Sequence, residues 1–112
     1  MCGIAGYVSF ARRTLDPGVV RRMTRSLAHR GPDGEGVECL AQAHFGHRRL
    51  AIRDLSDAGR QPAFDQAGTV MVTYNGEIYN DAALREEISR QTGYIFRTRC
   101  DTEILPVGWK LW

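Results

Sequence analysis

Two hydrophobic periods run through this chain, and they divide it into strands and helices. "GIAGYVSF" is apolar and β-capable, which predicts an opening strand over Ile4–Phe10. Asp16-Pro17 has the form of a helix start, with Asp at the cap and Pro in the first turn. Val20, Met23 and Leu27 then recur at helical spacing, while Arg21, Arg22 and Arg25 face elsewhere. "HRGPDGEG" ends that helix with turn residues. Val37–Leu40 and Ala43–Ile52 read as strands, followed by a long loop, "DLSDAGRQPAFDQAG". "TVMVTY" is a further strand, closed by Asn75-Gly76. A helix over Asp81–Gln91 follows, capped by Asn80 or Asp81, with Leu84 and Ile88 on its buried face. Tyr94–Phe96 reads as a short strand. "DTEILPVGWKLW" opens like a capped helix that Pro106 and Gly108 weaken. Four or five strands with helices between them predict an α+β layered fold of one domain, without repeats or a linker.

Composition narrows the class. The 112 residues are 43% hydrophobic and 25% charged, the balance of a soluble globular domain. A net charge of +2, with arginines in short pairs such as Arg12–Arg13, Arg21–Arg22 and Arg48–Arg49, offers no basic run for nucleic acid. No stretch approaches the roughly 18 apolar residues of a membrane span, and the N-terminus lacks the layout of a signal peptide. Cys2, Cys39 and Cys100 are an odd set without CxxC spacing, so a disulfide framework is not expected and a reducing cytoplasm is the default. Trp109, Leu111 and Trp112 crowd the last turn of the final helix with nothing after them to bury them, which predicts a fragment or a truncated reading frame.

The candidate chemistry begins at Cys2. Loss of Met1 would leave one residue carrying a thiol and a free α-amine. That amine, with a pKa of roughly 7.7–8.0, could take the thiol proton as histidine does elsewhere. A nucleophile attacking a carboxamide also needs donors for the tetrahedral oxyanion. The Asn75 side-chain amide and the Gly76 backbone N–H could supply two, each worth roughly 2.7–4 kcal/mol of barrier. Arg49 could hold a carboxylate through two parallel hydrogen bonds, and Glu77 and Asp101 could hold an ammonium group. Each residue has an ordinary alternative. Cys2 could be a small terminal residue, Asn75-Gly76 a type I′ hairpin turn, Arg49 a solvated surface arginine and Asp101 a helix N-cap. Locally, each alternative is the simpler reading.

Taken in order, "MCGIAG", "HRGPDGEG", "GHRRLAIRDLSDAGRQP", "YNGEIYN", "LREE" and "DTEIL" resemble the glutaminase domain of class II glutamine amidotransferases. The likeness runs from Met1 to about Leu105, and "RLAIRDLS…QP" with "NGEIYN" points to the asparagine synthetase branch. The resemblance implies the αββα four-layer sandwich of N-terminal-nucleophile hydrolases, incomplete in this chain. It implies that Cys2 is the nucleophile and its α-amine the base, with Asn75 and Gly76 forming the oxyanion hole. Arg49 would grip the α-carboxylate of glutamine, Glu77 and Asp101 would hold its α-ammonium, and Arg30 and Asn80 would support the site. The reaction would pass through a γ-glutamyl thioester, release ammonia and end in glutamate. No cofactor or metal is expected for this half. ATP and Mg belong to a synthetase domain that is missing here, which would receive the ammonia and amidate aspartate. A homodimer is compatible with the resemblance, and neither nucleic acid nor membrane is expected as a partner.

Three other outcomes stand beside that reading. The chain could be a truncated, non-catalytic piece that exposes strand edges and fails to fold alone. It could be the glutaminase of another amidotransferase, since the ammonia acceptor is chosen outside these residues. It could also bind metal through Cys39, His44, His47 and Cys100. Against this last, side-chain alternation sends His44 and His47 to opposite faces of a strand, whereas a zinc site needs convergent ligands.

Overall fold

The computed structural model describes residues 1–11, 16–52 and 55–112. The Arg12–Arg13 pair and the first residue of the long loop, Asp54, lie outside the described residues. The chain is a mixed α+β protein. Strand β1 (Gly3–Val8) pairs antiparallel with β3 (Ala43–Arg49), which pairs antiparallel with β2 (Gly34–Leu40), giving the order β1-β3-β2. A second sheet has only β4 (Ala63–Phe64) and β5 (Met71–Val72).

Helix α1 (Pro17–Ser26) starts where the sequence predicts, the Asp16 carboxylate accepting from the Gly18 N–H at 2.9 Å. Its buried side chains are Val20 and Thr24, whereas Met23, expected on that face, is exposed. The reason is close packing on the sheet. A Cβ at Gly46 would fall 1.7 Å from Thr24 Oγ1, and one at Gly3 would fall 2.9 Å from the Leu27 Cβ. Such an approach has room for a small residue, and the Thr24 hydroxyl stays satisfied by donating to the Val20 carbonyl at 2.7 Å. On the other face of β3, His47 is joined to Thr73, next to β5, at 2.9 Å. Helix α3 (Ile104–Leu111) packs on β5 and on α2 (Asp81–Thr92). The buried hydrophobic core among the described residues is Val20, Ile88 and Ile104.

Several predicted strands shorten, and hydrogen bonding shows why. "TVMVTY" keeps only Met71–Val72 as strand, because the Asp65 carboxylate takes the N–H groups of Thr69 and Val70 and the Gln61 side chain takes that of Tyr74. Tyr94–Phe96 is not a strand. Glu103 accepts from the N–H groups of Arg97 and Thr98, the Thr98 hydroxyl and the Tyr94 phenol, so this segment is tied down by one carboxylate instead of a ladder. The first strand stops at Val8, two residues short of Phe10. The third predicted strand stops at Arg49, not Ile52. β2 instead begins at Gly34, earlier than Val37. The long loop contains a 3-10 turn, Asp57–Gly59, and strand β4.

The second helix forms where predicted, and the third forms in spite of its weak signal. α2 covers the predicted range, with Asn80 at the cap position but making no side-chain cap bond, and ends at left-handed Gly93 (φ 72°). α3 runs through both predicted weak points. Pro106 is its third residue, where an N–H has no intrahelical partner anyway, and Gly108 leaves room for the Trp112 ring, 2.9 Å from where a Cβ would sit. Trp109 and Trp112 are exposed, as the sequence predicts.

Candidate active site at the N-terminal edge of the sheet

Register alone assembles the first part of the site. Gly3 pairs with Arg48 and Gly34 with Arg49, so the start of β1, the end of β3 and the start of β2 meet at one end of the sheet. Cys2 therefore lies beside Leu50, whose backbone N–H donates to the Cys2 sulfur at 3.3 Å. The "RGPD" turn is zipped onto the same end. A Cβ at Gly31 would overlap the Arg48–Arg49 peptide, at 2.3 Å from the Arg48 carbonyl carbon, so only glycine lies flat there. Arg48 Nε donates to the Gly31 carbonyl, the Asp33 N–H to the Arg49 carbonyl, and the Ala51 N–H to the Asp33 carboxylate, each at 2.9 Å. That turn delivers Arg30, whose Nε donates to the Cys2 carbonyl at 3.1 Å.

The remaining side chains come from the loops beyond β3. Arg49 donates from Nη1 to the Ser56 carbonyl, 2.6 Å away, and its guanidinium lies against Gly59, where a Cβ would come within 2.4 Å of Nη2. It is held in place, not left as a solvated surface arginine. Asn75-Gly76 is not a type I′ hairpin. That turn needs positive φ at both central residues, and among the described residues only Ala41, Gly68 and Gly93 have positive φ. Gly76 packs on the ring of Tyr74, and the chain passes into α2 without a partner strand. Asp101 is not a helix cap either. Cys100 occupies the cap position of the 3-10 turn Asp101–Glu103, while the buried Asp101 carboxylate reaches across to accept from the Ile78 N–H at 2.8 Å. Arg85 on α2 fixes the approach to Asp101, donating to the carbonyls of Thr98 (3.0 Å) and Cys100 (2.6 Å) with its guanidinium 4.5 Å from the Phe96 ring centre.

These segments enclose a cavity of about 320 Å³. Cys2, Arg49, Asn75, Gly76, Glu77 and Asp101 all line it, with Met1 at its wall. Six predicted residues from distant parts of the sequence thus share one chamber. It holds one cationic side chain, Arg49, and two carboxylates, Glu77 and Asp101, among its lining residues. Burial, and then the charges of Asp101, Tyr79 and Glu77, push the Tyr74 phenol upward. Arg30 acts from outside the cavity lining, through the Cys2 carbonyl, and Asn80 lies outside the lining as an exposed residue at the start of α2.

Sequence reasoning missed four contributors: the Leu50 N–H, Gln61, Thr102 and Arg85. Leu50 acts through its backbone and leaves no compositional trace. Gln61 and Arg85 sat inside the motifs "RQP" and "LREE", whose spacing gave no hint of long-range bonds. A larger cavity, about 840 Å³, lies between α2's end and α3, lined by groups such as Ile95, Val107 and Leu111. No cysteine, serine or histidine is among its lining residues, whereas Cys2 lines the smaller chamber. The four residues considered for metal do not act together. His44 stacks on Tyr7 at 4.8 Å and His47 bonds Thr73, while among the described residues no three His, Cys, Asp or Glu side chains are grouped to hold an ion.

The fold and the cysteine-lined chamber define a mixed α+β domain, and comparison with known proteins identifies its family. A family model described as a glutamine amidotransferase domain matches residues 1–112, and the chain belongs to that family. It is 39% identical to asparagine synthetase [glutamine-hydrolyzing] 3 of Bacillus subtilis, over all of this chain and 18% of that protein. It is likewise 39% identical to asparagine synthetase [glutamine-hydrolyzing] 3 of Arabidopsis thaliana, over 94% of this chain and 18% of that one. A putative asparagine synthetase [glutamine-hydrolyzing] 2 of Methanocaldococcus jannaschii is 35% identical over 94% of this chain and 23% of its own length. The chain thus spans about a fifth of the curated relatives it matches.

Proposed function

We propose that this chain is the glutaminase part of an asparagine synthetase, and that the enzyme it belongs to hydrolyses glutamine through Cys2. The observation that carries the reading is the convergence of Cys2, Arg49, Asn75, Gly76, Glu77 and Asp101 on one chamber. Glutamine is a zwitterion with a carboxamide at its far end. Arg49 would pair with its α-carboxylate, Glu77 and Asp101 with its α-ammonium, leaving the carboxamide for Cys2.

The chemistry follows from those placements. Once Met1 is removed, the Cys2 α-amine takes the thiol proton, and the sulfur attacks the carboxamide carbon. The Asn75 side chain and the Gly76 N–H receive the oxyanion, and the Leu50 N–H already points at the sulfur. Collapse returns the proton to the leaving nitrogen, so ammonia departs and a γ-glutamyl thioester remains. Water then attacks that thioester, giving glutamate and the free thiol. Arg30, bonded to the Cys2 carbonyl, holds the first residue in line. Ammonia would pass to a synthetase domain that spends ATP, with Mg, to amidate aspartate, and none of the 112 residues is assigned to that step.

The layer order supports a four-layer αββα reading: α1, the β1-β3-β2 sheet, the β4-β5 sheet, then α3 and α2. No described helix is long and apolar enough to cross a membrane. A reducing cytoplasm as its location is part of the proposal, and the three free cysteines are compatible with it. A second reading, that the 112-residue chain does not turn over by itself, is favoured by its small core and by exposed Phe10, Leu55, Ile95 and Trp109. A cooperative thermal transition of the 112-residue chain accompanied by glutamine hydrolysis would overturn it.

Two variants of the full-length gene product test the main reading. Cys2→Ala should abolish glutamine hydrolysis, and an uncleavable extension ahead of Cys2 should do the same by removing the free amine. Normal hydrolysis by either protein would refute the assignment.

A further inference from the structure

Gln61 is 7% exposed and uses both ends of its amide on different walls of the chamber. Its Oε1 accepts from the Tyr74 N–H at 2.6 Å, one residue before Asn75. Its Nε2 donates to the Thr102 hydroxyl at 3.1 Å, one residue after Asp101. The orientation is fixed by chemistry, since a backbone N–H can bond only the oxygen end of the amide. From behind, β2 fixes Gln61 itself: a Cβ at Gly36 would fall 1.9 Å from the Gln61 carbonyl oxygen. Gln61 and Thr102 both line the chamber and both are buried.

We infer that Gln61 is a positioning residue that ties the Asn75–Gly76 segment to the Asp101 segment and so sets the distance between the oxyanion donors and the ammonium-binding carboxylate. The inference rests on the function proposed above. Those two segments are about 25 positions apart in sequence and share no ladder, because β5 ends at Val72. Beside the bond from the Ile78 N–H to the Asp101 carboxylate, the Gln61 amide spans them at both ends. If it sets their spacing, a glutamine held by its α-ammonium presents its carboxamide to the donors in register with Cys2, and loosening the tie misaligns the reacting group. Misplacement by about 1 Å can cost on the order of 100-fold in rate.

The test uses the full-length protein with glutamine as probe, measuring kcat and KM for hydrolysis together with the rate of Cys2 alkylation by iodoacetamide. Gln61→Met cuts both bonds and should lower kcat/KM by about 10- to 100-fold, in kcat as well as KM, while Cys2 is alkylated at the wild-type rate. Thr102→Val cuts only the Asp101 side and should act mainly on KM, whereas Thr102→Ser, which keeps the hydroxyl, should restore it. Wild-type kcat and KM in both Gln61→Met and Thr102→Val would overturn the inference. So would equal losses in Thr102→Val and Thr102→Ser, which also decide the matter should Gln61→Met fail to fold. Cys2→Ala run alongside separates the two levels. Its inactivity with unaffected Gln61 and Thr102 variants refutes only the tie, and its full activity refutes the proposed function.

Discussion

The Arg30 guanidinium donates from Nε to the carbonyl oxygen of Cys2 across 3.1 Å, joining the turn after α1 to the second residue of the chain. A chain terminus frays unless something holds it. Here the hold is a hydrogen bond from a permanent cation, of the kind worth about 1.5–3 kcal/mol. Arg30→Leu should therefore lower kcat/KM for glutamine by roughly 10- to 100-fold and slow the alkylation of Cys2, with both read in the same preparation. Unchanged values for both would show that Cys2 is fixed by the Leu50 N–H and the β1–β3 ladder alone.

Arg49 meets the Ser56 carbonyl and the bare backbone of Gly59. Lysine brings the charge but not the planar fork, so Arg49→Lys should raise the glutamine KM by about tenfold or more and move kcat less. Gly59→Ala places a methyl 2.4 Å from Nη2 and must push the guanidinium aside. It should raise KM in the same direction without touching charge. A Gly59→Ala enzyme with the wild-type KM would mean that the guanidinium does not need its seat.

Local pattern and spatial assembly were legible to different degrees. Helix α1 could be read from Asp16-Pro17 because a cap is a local bond, and β1 because Gly3–Val8 is apolar. Strand Tyr94–Phe96 could not be excluded, because nothing in its pattern shows that the Glu103 carboxylate takes the neighbouring N–H groups a ladder would use. Thr24 in place of Met23 was equally hidden: the choice depends on Gly46 of a strand more than twenty residues away. The site residues emerged from ordered motifs, and for Asn75-Gly76 and Asp101 the ordinary reading fails only in three dimensions. The φ of Gly76 removes the hairpin, and the Ile78 N–H removes the N-cap role of Asp101. Gln61 and Arg85 stayed unread because each works through contacts with segments distant in sequence.

His47 gives the fold a pH dependence. It is 1% exposed, its Nδ1 meets the Thr73 hydroxyl, and among the described residues no hydrogen bond reaches its Nε2. Burial, reinforced by the Arg49 charge, lowers its pKa from 6.5 to about 4. The folded protein thus binds fewer protons than the unfolded chain between those two values, and stability rises with pH across that window. The contribution is fully present above about pH 6.5 and is lost as the pH falls toward about 4, amounting to at most about 3 kcal/mol. Urea unfolding at pH 7 and pH 4.5 should show a marked drop in midpoint for wild type and a smaller one for His47→Gln. Equal drops would place the acid sensitivity elsewhere.

Two glycines separate a side-chain obstacle from a backbone one. At Gly46 an added methyl meets the Thr24 side chain, whose Oγ1 would be 1.7 Å away; at Gly36 it meets the Gln61 carbonyl oxygen at 1.9 Å. Each overpacking should cost about 1–3 kcal/mol or more. Thr24→Ala removes the hydroxyl and methyl that Gly46→Ala strikes, leaving the Thr24 Cβ at 3.0 Å, so the double variant should regain part of the lost stability. Nothing can be trimmed from a carbonyl. Gly36→Ala should stay destabilised in every side-chain background, and because the carbonyl belongs to Gln61, it should also depress glutamine hydrolysis, while Gly46→Ala at matched folded fraction should not. Activity lost equally in both would show that the chamber responds to general loosening of the sheet and not to the placement of Gln61.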